Sequence, residues 1–281
     1  MKRLIVIPSG ASRLEPIARR RPTHWQIAKL ANWLILLLML FAACSKDSGS
    51  SPTPTPTPDP DLEPNPTEVP KGNYGVFIGG VELTYDNYQN ISAPTFPIVR
   101  KGKVSYNPVK RRLTLDGATL ENTTAQAAIF QPESSTEKLT IALRNTSQLS
   151  SKGNAIELKT APLLILGEGS LSIDVPSDRF AIRLQKRLSF SNCTFSANAP
   201  IVTEKIVVDE TNLHLTATEG TYVLKIFTEE HFDSSFVLLN CKSQIPLFLG
   251  PKRIDNLYWI LLDNYNKVVS ELKVVKTLTN D

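Results

Sequence analysis

The sequence predicts an all-β fold, a single-stranded right-handed parallel β-helix, over residues 72–281. Short runs such as Leu171-Ser-Ile173 alternate aliphatic and polar residues, which is the side-chain period of a strand. Sets of these runs recur along the chain at similar intervals, as they do in repeat proteins. Only residues 259–274 have a pattern that leaves a helix open.

Each repeat is predicted to contain three strands. Most repeats open with a small residue or proline followed by an aliphatic residue, and the steps between successive aliphatic residues are 27, 26, 19, 22 and 24 residues. One turn of this length cannot bury its inward side alone, whereas turns stacked about 4.8 Å apart align their aliphatic residues in interior ladders. The openings are Ala128-Ile129, Ala155-Ile156, Ala181-Ile182, Pro200-Ile201, Tyr222-Val223 and Pro246-Leu247.

The other two strands of each repeat follow its opening, and their apolar residues should stack in the same way from turn to turn. The second runs are placed at Leu139, Leu163, Leu188 and Ile206, and the third runs at Leu149, Leu171, Phe195 and Leu213.

An antiparallel β-sandwich is the competing fold. Sandwich strands connect through tight hairpins, often at Asn-Gly or Asp-Gly, and Asp116-Gly117 is the one such dipeptide in the chain. The repeated openings therefore favour the β-helix. Because a solenoid must cover its end strands, we divide the domain into an N-terminal cap (72–112), coils (113–250) and a C-terminal cap (251–281).

The N-terminal 44 residues combine a basic segment, an apolar run and a cysteine. The apolar run, residues 30–43, ends in Ala42 and Ala43 and is shorter than the roughly 20 residues of a membrane span. This order resembles a bacterial lipoprotein signal peptide. The resemblance implies that residues 1–43 are removed and that Cys44 carries a lipid. An uncleaved signal anchor is the alternative.

Residues 44–71 are predicted to form a stalk. Proline alternates with threonine from Pro52 onward, which favours extended polyproline II structure at about 3 Å per residue and cannot build a core. Acidic residues after a lipidated cysteine resemble surface-export signals of Bacteroidetes lipoproteins, and here Asp47 alone fits. The expected location is therefore the outer membrane, with the periplasmic and cell-surface sides both open.

The charge balance changes when the signal peptide is removed. Residues 1–44 hold seven of the 31 Lys and Arg residues and one of the 27 Asp and Glu residues, so 24 basic and 26 acidic residues remain. No basic stripe is left to neutralise phosphates, which argues against a nucleic-acid partner.

Three segments near the start of the folded part, residues 81–91, 102–108 and 113–120, resemble the opening of a group of bacterial surface repeat domains. Later runs such as residues 139–146 resemble the coils of the same domains. The resemblance extends over about residues 75–245. It implies a right-handed β-helix on a lipoprotein or cell-wall protein, and some members of the group are described as carbohydrate-binding. Its motifs are structural and identify no binding residue.

The best local cluster of charged residues is Asp174, Asp178, Arg179 and Arg183. It should lie across one corner of a coil, where it would suit an acidic sugar or calcium, although solvated charge on a loop is the plainer interpretation. The acidic pairs Asp209-Glu210 and Glu229-Glu230 have no basic partner at the same repeat position.

Aromatic residues concentrate at both ends of the predicted coils. Because end strands need covering, capping is the favoured interpretation, and stacking against sugar rings is the alternative. Tyr258 and Trp259 join the charged cluster as candidate binding residues. The full set is Tyr74, Tyr85, Tyr88 and Tyr106 before the coils and Tyr258 and Trp259 after them.

Cys193 and Cys241 each follow an asparagine and are 48 residues apart, about two coils. Two coils separate stacked positions by roughly 9–10 Å, whereas a disulfide requires Cα atoms within about 7 Å. We therefore predict two buried free thiols on one interior ladder. A disulfide, which would need the coils to slip, is the alternative in an oxidising compartment.

Nothing else in the sequence indicates chemistry. The three histidines, His24, His214 and His231, are too few and scattered for a zinc site, and His214 should point outward from a strand. We expect no metal, no cofactor and no catalytic residue.

The expected function is a lipid-anchored envelope protein that binds glycan or serves a structural role. A polysaccharide lyase or hydrolase and a protein-binding adhesin are the alternatives, and the oligomeric state is open.

Overall fold

The structure, a computed structural model, describes residues 68–219, 221–227, 232–244, 252–254, 258–263, 265 and 267–277. The predicted signal peptide, Cys44 and the stalk up to residue 67 lie outside the described residues, as do Glu229-Glu230, His231 and Pro246-Leu247.

The described part of the chain is all-β, with parallel sheets in a solenoid-like arrangement. Four strands begin it: β1 (Asn73–Ile78), β2 (Val81–Thr84), β3 (Val99–Asn107) and the long β4 (Arg112–Asn122). After β4, three successive strands join three different faces, and the chain then returns to the first face. The described helical residues are limited to α1 (Phe232–Ser235).

Each of the three faces is a ladder of parallel strands. Face 1 contains β5 (Ile129–Gln131), β8 (Ile156–Leu158), β11 (Ile182–Leu184), β14 (Ile201–Thr203) and β17 (Leu224–Ile226). Face 2 contains the first half of β4, then β6 (Leu139–Arg144), β9 (Leu163–Leu166), β12 (Arg187–Ser191), β15 (Lys205–Asp209) and β18 (Phe236–Leu239). Face 3 contains the second half of β4, then β7 (Thr146–Ser151), β10 (Ser170–Asp174), β13 (Thr194–Ala197) and β16 (Asn212–Thr216).

Parallel pairing of these strands is incompatible with the antiparallel sandwich, because sandwich strands joined by hairpins run in opposite directions. The predicted second-run ladder is confirmed on face 2, where Leu139 pairs with Leu163, Leu163 with Leu188, and Leu188 with Ile206. On face 1 the predicted ladder of isoleucines is also confirmed. Its members pair in the order Ile129, Ile156, Ile182 and Ile201.

Two predicted ladder positions are wrong. In the fifth repeat Leu224, not Val223, pairs with Ile201, because both residues are buried and the sequence does not say which belongs to the strand. On face 3, Leu149 pairs with Ile173 instead of Leu171. The residue that pairs with Leu171 in the preceding turn is Ser147. It is fully buried, and its Oγ accepts a hydrogen bond from the Ala118 N–H at 3.1 Å.

The corner between faces 2 and 3 is formed by residues with left-handed backbone conformation. Asn145, Asn192, Glu210 and Asn240 have φ values of 55°, 49°, 45° and 52°. Asparagine tolerates this conformation better than most residues because its short side chain bonds locally. The Asn240 Nδ2 donates to Asp209 Oδ1 at 3.0 Å, and the Asn145 Nδ2 donates to Asp116 Oδ1 at 2.7 Å, so these two corners are also bound to the neighbouring turn.

Antiparallel strands cover both ends of the parallel ladders. At the N-terminal end β1 pairs with β5, and the rings of Tyr74 and Tyr106 are buried 5.6 Å apart. The C-terminal strands are β19 (Cys241–Ser243), β20 (Lys252–Ile254), β21 (Tyr258–Ile260) and β22 (Glu271–Lys276). β21 pairs with β17 and β22 pairs with β16. Residues 259–274, where a helix was left open, therefore contribute to strands.

Both cysteines of the described domain are free thiols, as predicted. Thr211 lies between them: its Oγ1 is 3.7 Å from Cys193 Sγ, and its N–H donates to Cys241 Sγ at 3.2 Å. Burial raises the pKa of Cys193 to about 11. The prediction that both thiols are buried is wrong for Cys241, which is half-buried because it lies near the C-terminal end of the ladder.

Truncation of an interior ladder residue should destabilise the whole domain. Ile182 is fully buried and pairs with isoleucines on both sides. We expect Ile182→Ala to lower the free energy of unfolding by about 2–5 kcal/mol, because the neighbouring rungs cannot close the cavity. Urea denaturation of the full chain measures the loss. The matched control is Ser172→Ala on the exposed side of face 3, expected within about 0.5 kcal/mol of the parent. Equal effects of the two substitutions would contradict the ladder.

Candidate functional site

The outer side of face 1 carries the most varied set of functional groups in the described domain. Side chains alternate along each strand, so the residue after the buried aliphatic residue points outward. Stacking places these outward residues in one column, here named the face 1 column. In order it contains Phe130, Glu157, Arg183, Val202 and Lys225.

Glu157 is the most strongly bound member of this column. Its Oε1 lies 2.7 Å from Lys159 Nζ, and the Asn154 Nδ2 donates to its Oε2 at 2.7 Å. Arg183 Nη1 of the next turn lies 3.9 Å from the same Oε1, which is an ion pair without a direct hydrogen bond. The Glu157 side chain is only 13% exposed.

The surroundings of Glu157 favour its charged form. Burial alone would raise the pKa of this carboxyl group, but hydrogen bonds from Lys159 and Asn154 and the positive charges of Lys159 and Arg183 outweigh burial. The pKa of Glu157 therefore lies below its ordinary value. The group is an ionised anchor that fixes Lys159 and Arg183 on the surface.

Aromatic rings lie beside the two cations of the column, the exposed Arg183 and the half-buried Lys225. The Arg183 guanidinium carbon is 5.8 Å from the centre of the Phe180 ring. The Lys225 Nζ is 5.5 Å from the centre of the Tyr222 ring. Contacts of this kind contribute about 0.5–1 kcal/mol at exposed sites. They hold each cation over a flat apolar surface, so charge and ring are presented together.

The predicted charged cluster divides between two faces. Asp174 lies at the end of β10 on face 3 and accepts a hydrogen bond from the Asn198 side-chain amide. Asp178 and Arg179 pair with each other at 3.5 Å in the turn that follows. Arg183 is on face 1 and pairs with Glu157. The chain turns from one face to the next within this segment, so the four residues do not converge on one ligand.

The two predicted aromatic binding residues lie at the C-terminal end. The side chain of Tyr258 lies outside the described residues. Trp259 is half-buried and packs against the core, which agrees with capping. Tyr74 and Tyr106 at the other end are buried as well, whereas Tyr85 is 41% exposed.

Face 3 presents small polar groups to the outside. Gln148, Ser172, Ser196 and His214 stack in one outward column. His214 points outward as predicted, and its Nε2 lies 3.0 Å from Glu271 Oε1. Its partner is therefore a single exposed carboxylate and not a set of metal ligands.

Face 2 presents a mixture of aliphatic and polar side chains. Ala142 and Leu166 pair as neighbours, and Leu239, near the other end of the face, is 46% exposed. An open groove of about 530 Å³ lies beside this surface, where Thr114, Ala142 and Leu166 meet the corner residue Glu168. Its lining offers no paired carboxylates.

Among the described residues, no group of three His, Cys, Asp or Glu side chains is placed to hold a metal ion. Within the same residues no helix has the length and apolar character needed to cross a membrane. No protein-family model, curated protein or solved structure matches this chain.

Glu157, Lys159 and Asn154 were missed by the sequence analysis. A signal for them exists, because the step from Ile156 to Ile182 is 26 residues. The residue 26 positions before Arg183 is Glu157, so the two residues occupy the same position in successive turns. The opposite charges of the two residues are therefore readable once the repeat length is known.

Removal of the Glu157 charge should weaken the domain in a pH-dependent way. A carboxyl group with a lowered pKa stabilises the folded state above the pKa of the unfolded chain, and this contribution is lost as the pH falls through the folded-state pKa. We expect Glu157→Gln to lower the free energy of unfolding by about 1–2 kcal/mol at pH 7, with the difference decreasing as the pH falls below 4.5, the ordinary pKa of a glutamate side chain. Urea denaturation at a series of pH values from 7 downward measures it. Glu168→Gln, at an exposed corner, is the control, and a difference that does not decrease with falling pH would refute the assignment.

Proposed function

We propose that this chain is an exported, lipid-anchored protein of the bacterial cell envelope whose folded domain binds glycan without cleaving it. The support for the anchor is the resemblance of residues 1–43 to a lipoprotein signal peptide, with the lipid on Cys44. The Pro/Thr-rich stalk of residues 44–71 would then hold the domain away from the outer membrane.

The fold that we propose for the domain is a single-stranded right-handed parallel β-helix. The parallel ladders of faces 1, 2 and 3 support it, since each turn adds one strand to each face. The hand is inferred from the rule that connections between parallel strands of one sheet are almost always right-handed. The resemblance to bacterial surface repeat domains points in the same direction.

The face 1 column is the observation that carries glycan binding. Sugars offer hydroxyl groups and flat apolar faces, and this surface offers Arg183 and Lys225 beside the rings of Phe180 and Tyr222. Arg183 and Lys225 stand on a sheet whose register is set by the core, and the two rings directly precede its strands, so the basic groups are positioned before a ligand arrives. A preorganised surface loses less entropy on binding.

Binding is favoured over cleavage by the state of Glu157. A glycoside hydrolase needs a general acid whose pKa is raised, together with a second carboxylate about 5–10 Å away. The pKa of Glu157 is lowered, and its nearest charged neighbours are Lys159 and Arg183. This carboxylate is suited to holding cations in place and not to donating a proton.

Protein binding is the second candidate function, and a small apolar patch on the outer surface of face 2 favours it. Ala142 and Leu166 are neighbouring outward residues of that face, whereas Leu239 is separated from them by Ser191 and Asp209. Exposed apolar patches are typical of interaction sites. An adhesin or assembly component would use such a surface.

The lipid anchor is tested by Cys44→Ser in the full chain expressed in a bacterium with an outer membrane. We expect complete loss of labelling by a radioactive fatty acid and loss of the protein from the outer-membrane fraction, since the acceptor thiol is gone. The parent chain and Cys241→Ser, which should both stay labelled, are the controls. Persistent labelling would refute lipidation at Cys44, and an unlabelled variant that stays in the membrane would support the signal anchor.

Glycan binding is tested by retention of the detergent-solubilised full chain on a panel of insoluble polysaccharides, with an assay of new reducing ends. We expect retention without products. Tyr222→Ala should weaken retention at least fivefold, because it removes a ring from the face 1 surface. Tyr85→Ala, an exposed ring of the N-terminal cap, should change it less than twofold. Released oligosaccharides would overturn the non-catalytic proposal, and absence of retention on every polysaccharide would favour the protein-binding function.

A further inference from the structure

The outer surface of face 1 is positively charged, although the chain without residues 1–44 has more acidic than basic residues. Among the described residues on and beside the column, basic side chains outnumber acidic ones: Lys159, Arg183, Lys186 and Lys225 against Glu157 and Glu204. The surface therefore has a local charge opposite to that of the rest of the domain, which attracts an anionic partner.

The carboxylate of Glu157 does not neutralise Arg183 fully. Glu157 lies 2.7 Å from Lys159, whereas Arg183 is 3.9 Å away and its side chain is 51% exposed. Within the described part of the chain, no group accepts a hydrogen bond from Arg183. Its guanidinium fork keeps the geometry that bonds a carboxylate or sulfate through two parallel N–H donors.

The second cation lies two turns further along the same column. Arg183 pairs with Val202, and Val202 pairs with Lys225, so the backbones of the two basic residues are about 9–10 Å apart. Between them the outward residue is Val202, whose side chain is only 8% exposed and therefore adds neither charge nor bulk to the surface. Two cations that each lie beside a ring and are separated by a low, uncharged step suit a linear chain that repeats an anionic group.

From this arrangement we propose that face 1 recognises an acidic polysaccharide, with Arg183 and Lys225 contacting successive anionic groups of one chain that runs across the turns. The inference rests on the proposed glycan-binding function and narrows it to carboxylated or sulfated chains. Glu157 is a positioning residue in this site, because it fixes Arg183 from below and is itself largely covered.

The test is affinity electrophoresis of the detergent-solubilised full chain in gels that contain polygalacturonate, chondroitin sulfate or neutral mixed-linkage β-glucan. We expect retardation by an acidic chain at least fivefold stronger than by the neutral one, decreasing as the salt concentration rises from 50 to 500 mM because salt screens exposed charges. The first two gels distinguish carboxylate from sulfate as the anionic group.

Variants separate this site from general attraction to basic residues. Arg183→Gln with Lys225→Gln should reduce the affinity for the acidic chain at least fivefold. The control pair Arg144→Gln with Arg187→Gln removes the same charge from exposed positions of face 2 and should change it less than twofold. Arg183→Lys should retain part of the affinity, since it keeps the charge and loses the fork. Circular dichroism and the urea midpoint confirm that each variant is folded.

The outcomes distinguish the two proposals. Equal retardation by neutral and acidic chains would overturn the inference and leave glycan binding in place. Equal losses in the face 1 and face 2 pairs would also overturn the inference, because the attraction would then depend on net charge alone. Absence of retardation in all three gels would count against the inference and against glycan binding together.

Discussion

Pairing of each strand with its copies in the turns above and below is the interaction on which this domain depends. The strands from β5 to β18 have only three to six residues, and strands this short cannot form a stable sheet within their own turn. Their backbone hydrogen bonds are completed by neighbouring turns, and the same register stacks buried aliphatic residues such as Ile156 and Ile182. The alignment of successive turns therefore both completes the backbone hydrogen bonds and packs the aliphatic core.

The sequence predicted those parts of the fold in which the same type of residue recurs at the same position of successive turns. Ile129, Ile156, Ile182 and Ile201 open four repeats, and their pairing was readable from the spacing. Face 3 was not readable at Ser147, because an inward serine interrupts the aliphatic pattern. The serine is tolerated because its hydroxyl group accepts a hydrogen bond from a backbone N–H. The periodicity of the sequence does not reveal this contact, because it depends on how the chain packs in three dimensions.

The candidate site shows the same limit more sharply. Asp174 and Arg183 are close in sequence, yet they lie on faces 3 and 1, because the chain turns a corner between them. Glu157 and Arg183 are distant in sequence and are neighbours in space, because they occupy the same place in successive turns. In a solenoid, charges that act together are separated by the length of a turn, so local clusters mislead unless the repeat has been aligned first.

The alignment also divides the molecule into surfaces that are free to differ. Inward residues are mostly apolar and match their neighbours, with buried polar exceptions such as Ser147, whereas outward residues touch few core atoms. Face 1 accordingly carries cations and rings, face 2 a mixture of aliphatic and polar residues such as Leu166 and Ser191, and face 3 small polar residues such as Ser172. Because the core sets the backbone of all three faces, a binding surface on one of them can change without altering the fold. Exposed ion pairs support stability only weakly. Among the cations of face 1, Lys159 is therefore expected to contribute most to the stability of the domain, because it lies 2.7 Å from the largely covered Glu157, whereas Arg183 lies 3.9 Å from it and contributes less.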